Sequence, residues 1–118
     1  ALDVTRGEMG TRGTPEIRAA EAETAAQILK LDVRENLALA DGHVFADEES
    51  RKKLVRVLRR LQPKVILTHQ ADDPHPDHNQ IVQLVREAAR LSSMQKYDGD
   101  FGQERIKVPI VAHNIFSQ

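Results

Sequence analysis

Lys64-Val65-Ile66-Leu67-Thr68 runs directly into His69-Gln70-Ala71-Asp72-Asp73-Pro74-His75-Pro76-Asp77-His78-Asn79. The first five residues form a short, continuous, β-branched and apolar run, the pattern of a strand buried in a parallel sheet. The polar loop that follows carries imidazoles, carboxylates and two prolines that restrict the backbone on either side of His75. Beyond it, Ile81, Leu84, Val85 and Ala88 recur at helical spacing. They predict a helix over residues 79–91 with Asp77 near its N-cap. Residues 92–103 read as a polar loop, and 106–112 as a further strand that Pro109 makes an edge or irregular one.

Upstream the same alternation repeats. Asp47-Glu48-Glu49 caps a helix whose apolar face is Leu54, Leu58 and Leu61, with Val55 and Val57 beside them, and Pro63 stops it. Its basic run, Arg51-Lys52-Lys53 with Arg56, Arg59 and Arg60, reads as a solvated face, since no aromatic platform accompanies it. Residues 33–40 form a strand ended by Asp41-Gly42. Thr14-Pro15-Glu16 starts a helix reaching about Lys30, with Ile17, Ala20, Thr24, Ile28 and Leu31 on its apolar stripe. Before it, residues 1–5 read as a strand leading into the glycine-rich loop 6–13. Strand and helix therefore alternate throughout, which predicts an α/β fold: a mainly parallel sheet flanked by helices, with right-handed crossovers.

The 118 residues, 40% apolar and 30% charged with a net charge of -1, describe one globular domain over 1–118. That charge gives no reason to expect nucleic acid or an anionic membrane as partner. With no cysteine, a metal would take nitrogen and oxygen ligands only. No apolar run approaches the roughly 20 residues of a membrane span. A small-molecule partner and a cytoplasmic location are expected.

In an open parallel sheet, ligands bind at the carboxyl ends of the strands. Three polar loops leave strands there: 6–13, 41–43 and 69–78. Their convergence on one cleft is expected. His75 and His78 suit a divalent metal, zinc first, either as two ligands or with one of them acting as an acid or oxyanion partner supported by Asp77. The competing reading is that both are capping groups in a polar loop. His43, His69 and His113 are weaker candidates. Arg6 and the glycines around it suit an anionic or hydroxyl-rich ligand, but no Gly-Lys-Ser/Thr ending supports a P-loop.

Thr5-Arg6-Gly7-Glu8-Met9-Gly10-Thr11-Arg12-Gly13-Thr14-Pro15-Glu16-Ile17-Arg18, then Arg34-Glu35-Asn36-Leu37 with Asp41-Gly42, then His75-Pro76-Asp77-His78, resemble in order and spacing the LmbE-like, or PIG-L-type, zinc-dependent de-N-acetylases. They look most like the bacterial branch that deacetylates N-acetylglucosaminyl-malate in bacillithiol synthesis. The resemblance covers about residues 1–90. It implies a Rossmann-like fold and removal of the N-acetyl group from a glucosamine-type sugar. It also implies Zn2+ or another divalent metal with His78 as ligand, His75 polarising the oxyanion with Asp77 in support, and Arg6 and Asp41 lining the sugar pocket. Family members are often homo-oligomers. The family's remaining ligands and its base belong to an Ala-His-Pro-Asp-Asp motif after the first strand, a segment not found in these 118 residues. The expectation is an internal, incomplete deacetylase domain lacking the family's first strand, with that motif on the order of 30 residues upstream, the size of a βαβ unit, and inactive alone. The competing function is a non-catalytic carbohydrate- or nucleotide-binding α/β module.

Overall fold

The computed structural model describes residues 1–70 and 74–113, in two compact units, Ala1–Val44 and Phe45–Gln118. Asp72 and Asp73 of the His-rich loop lie outside the described residues.

In the first unit, β1 (Leu2–Thr5) and β2 (Glu35–Leu39) pair in parallel around the intervening helix α1 (Pro15–Ile28). Thr14 caps α1 by accepting from Ile17 N–H, and Pro15 takes the first helical turn, where its missing N–H costs nothing. The pairing carries an irregularity between Asp3 and Thr5, opposite Asn36 and Leu39. Asn36 supports it by donating to Thr5 O and accepting from Ala38 N–H, with Ala38 at φ 56°. Arg34 ties the unit together. It binds Asp3 through Nε and Nη2 at 2.8 and 3.2 Å and reaches Ala22 O on α1.

The inward stripe expected on α1 is corrected here. Ile17 and Ile28 are exposed, and the buried residue of the helix is Ala26, with Ala22 and Ala25 half-buried beside it. At 3.6 residues per turn these alanines are centred about 120° around the helix from the isoleucines. Small side chains let the helix approach the Arg34 guanidinium closely.

In the second unit, α2 (Glu48–Leu61) and α3 (Pro76–Leu91) pack on each other, and α3 lies against the parallel pair β3 (Val65–Thr68) and β4 (Ile110–His113). Asp47 caps α2, and Gln62, in the left-handed region, ends it just before Pro63. Leu54, Val55 and Leu58 of α2 and Val82, Leu84, Val85, Ala88 and Ala89 of α3 form the core. The expectation of a buried strand is corrected for β3: Ile66 and Thr68 on one face are half-buried, and Val65 and Leu67 on the other are exposed. β4 begins at Ile110, not 106, since Pro109 has no N–H for the ladder.

Two further expectations shift. Helix α3 begins at Pro76 rather than Asn79, and its cap is His75, not Asp77. The basic face of α2 is not wholly solvated: Arg59 is 3% exposed and donates to the carbonyls of Leu91, Ser92, Met94 and Tyr97. Arg56 grips the Asp98 carboxylate through Nε and Nη2 and lies over the Phe101 ring. That pairing holds Asp98 below the usual aspartate range.

Candidate active site

The motif residues of the second unit occupy the start of α3. His75 is extended, with φ -79° and ψ 121°, and its Nδ1 accepts from the main-chain N–H of Asp77 at 3.1 Å. An imidazole accepting at Nδ1 carries its neutral-form proton on Nε2. Asp77 is 6% exposed and sits in the first turn, where a carboxylate complements the helix dipole. His78 follows, half-buried, between two other rings. Its centroid lies 3.9 Å from that of His69 with planes 4° apart, and 4.7 Å from that of His75 with planes 16° apart. Strand β3 delivers His69, and α3 delivers the other two.

His69 was one of three weak candidates from sequence, yet it is the histidine that stacks most closely on His78. His113, another of them, ends β4 and donates from Nδ1 to His69 O at 2.9 Å, while its Nε2 accepts from Arg86 Nη2 at 3.2 Å. Sequence reading passed over Arg86. The carboxyl-edge rule, which points to polar residues just after a parallel strand, was a signal for His69 and His113, whereas Arg86, within α3, carried none.

In the first unit, the glycine-rich loop and the turn after β2 clasp one another. Met9 N–H donates to Asp41 Oδ2 and Asp41 N–H donates to Glu8 Oε2, both at 3.0 Å. The latter contact holds the Glu8 carboxyl below the ordinary glutamate range. Gly42, at φ 76°, lies under the Met9 thioether, and a Cβ there would come within 2.5 Å of the sulfur. Arg6 is half-exposed, 3.7 Å from Glu16. It lines an open groove of about 470 Å³ with Thr5, Arg18, Arg34 and Asn36. His43 is exposed, with Nδ1 near Asp41 O at 3.1 Å.

No group of three or more His, Asp or Glu side chains able to hold a metal occurs among the described residues. His78 is one nitrogen donor, where a catalytic zinc takes three protein ligands. By themselves, the described residues do not make a metal centre.

Residues 1–89 match the model of the PIG-L family, described as GlcNAc-PI de-N-acetylase. The chain belongs to that family. It is 33% identical over 93 residues to the 4-oxalmesaconate hydratase of Pseudomonas putida KT2440, a match covering 78% of this chain and 36% of the relative. Among solved structures it resembles a conserved protein of Thermus thermophilus, at 37% identity and a TM-score of 0.86, over 99% of this chain and 53% of that one. The N,N'-diacetylchitobiose deacetylase of Pyrococcus horikoshii matches at 26% identity and a TM-score of 0.83, over 95% and 47%. The 4-carboxy-2-hydroxymuconate hydratase of Pseudomonas putida KT2440 matches at 28% and 0.78, over 93% and 50%. The chain thus spans about a third of the curated relative and about half of each solved one. Relatives within the PIG-L family carry both deacetylase and hydratase names, so the chemistry has to be argued from residues.

No helix among the described residues is long and apolar enough to cross a membrane.

Proposed function

We propose that this protein is a metal-dependent amide hydrolase that removes the N-acetyl group from an N-acetylglucosamine-type substrate in the cytoplasm, N-acetylglucosaminyl-malate being the first to test. The observation that carries this reading is the imidazole pair at the start of α3, His75 and His78, in a chain whose first 89 residues match a de-N-acetylase family. Bound zinc would lower the pKa of a coordinated water toward neutrality. His78 is the ligand this chain offers, and the other ligands come from outside the described residues. His75, its Nδ1 engaged by Asp77 N–H, presents Nε2–H as the donor to the carbonyl oxygen as negative charge develops there. Arg6 and Asp41 bind the sugar, Arg6 through its exposed guanidinium and Asp41 on a turn fixed by Met9 and Glu8.

Hydration of an unsaturated dicarboxylate is a second reading, favoured by the 33% identity to 4-oxalmesaconate hydratase. Acetate release and loss of absorbance of a conjugated enoate separate the two. Zinc-dependent acetate release from N-acetylglucosaminyl-malate is expected of the full-length protein, and hydration without acetate would transfer the protein to the second reading. Binding of the sugar without either reaction would leave a carbohydrate-binding module.

A further inference from the structure

Arg86, His113 and His69 form a circuit that starts and ends on α3. Arginine is only a donor, so the 3.2 Å contact of Arg86 Nη2 makes His113 Nε2 an acceptor. The proton of the neutral ring then sits on Nδ1, the atom 2.9 Å from His69 O. The β3–β4 ladder pairs Thr68 with His113 at its last rung. By reaching the next carbonyl, the His113 side chain extends that ladder one residue into the loop. The residue so held is His69, whose ring lies nearly parallel to His78. His78 is carried by α3, the helix from which Arg86 projects about two turns later.

We infer that His113, fixed as its Nδ1–H form by Arg86, is a positioning residue that sets the His69 ring against His78 and so orients the imidazole stack. Stacking on both faces restricts rotation of His78, and a side chain held by its neighbours keeps reactive geometry better than a free one. The link to turnover rests on the amide-hydrolase reading, whereas the ring geometry does not.

Long-range proton–nitrogen correlation on the full chain labelled in its histidines tests it, at a pH where imidazoles are neutral. His113 is expected to carry its proton on Nδ1, with ring-to-ring Overhauser contacts between His69 and His78. Arg86→Met should lose the His113 tautomer preference. His113→Phe should lose the ring contacts, and His113→Asn, whose amide can still donate to His69 O, should keep them. An Nε2–H His113 in the wild type overturns the inference, as does an unchanged His69–His78 contact in a folded His113→Phe. Dispersion of the Leu84 and Val85 methyl signals reports folding. Should His113→Phe fail that check, the wild-type tautomer and Arg86→Met decide. A full-length protein with the expected tautomer that releases no acetate with metal present refutes the hydrolase reading alone.

Discussion

At the scale of single residues, the His-Pro-Asp-His motif divides by position on α3. His75 stands outside the helix as its cap, His78 inside the first turn. Replacing His78 by Ala is expected to abolish metal retention, while His75→Ala keeps metal and lowers turnover by roughly two to three orders of magnitude, the scale of a lost oxyanion donor. Metal analysis alongside acetate release checks this, and equal metal loss in both variants would remove the proposed division of labour. The motif was legible in sequence because two histidines and two prolines in a short loop are conspicuous. Its cap was less so: Pro76 was a signal for the first helical turn, and the usual expectation of an Asp cap overrode it. Gly42 shows a different limit. Asp41-Gly42 reads as a turn, but nothing local reveals that Met9 lies over it. Gly42→Ala forces a side chain into the left-handed region, at a cost of about 1–2 kcal/mol. The collision with Met9 adds to that, so Met9→Ala in the same chain should recover part of the loss in a urea midpoint.

At the scale of elements, sequence pattern located the three α-helices and four strands among the described residues, but not the short 3-10 helix Gly99–Phe101 in the segment read as a loop, and not always the face each helix buries. Helix α1 carries two stripes, one of isoleucines and one of alanines. Hydrophobicity favours the first, whereas close approach to Arg34 selects the second. The basic face of α2 misled for a related reason. A guanidinium is buried readily where carbonyls converge on it, and the acceptors for Arg59 come from residues 91–97, far away in sequence. Arg59→Met removes four hydrogen bonds from a charged donor, although the carbonyls of Leu91, Ser92 and Met94 keep main-chain donors, and should destabilise by on the order of 3 kcal/mol. An effect as small as that of Lys96→Ala would show that water takes over the acceptors. The neighbouring Arg56–Asp98 pair predicts a pH dependence. Its carboxyl is held low in the folded state, so its contribution to stability is full above the ordinary aspartate range near 3.9 and disappears as the pH falls through the lowered value. Asp98→Asn should therefore flatten the acid limb of a stability–pH curve, and a limb identical to wild type would place the acid sensitivity elsewhere.

Over the whole molecule, the alternation of strand and helix foretold parallel pairing, and each described sheet is a parallel pair, β1 with β2 and β3 with β4. Parallel strands cannot be joined by a tight turn, so a helical crossover between strands is a strong topological signal even in one sequence. Burial was harder to foresee, because it depends on what each element meets rather than on its own pattern. The helices differ widely in this respect: α1 buries one residue, α2 five and α3 six. A helix of 14 residues has little stability of its own in water and is held chiefly by its packed face. Alanine, with the smallest apolar side chain of the set, provides α1 with less of that than Leu84, Val85 and their neighbours provide α3. Capping by Thr14 secures only its first turn. Local opening should therefore be easiest in α1, and its amides should exchange with solvent well before those of α2 and α3. Hydrogen exchange resolved by residue measures this directly. The slowest amides are expected around Leu84 and Ala88, where side chains are fully buried. Protection of the middle of α1 equal to that of α3 would mean that the Arg34 tie to Ala22 and the alanine face hold the helix as firmly as a leucine core does.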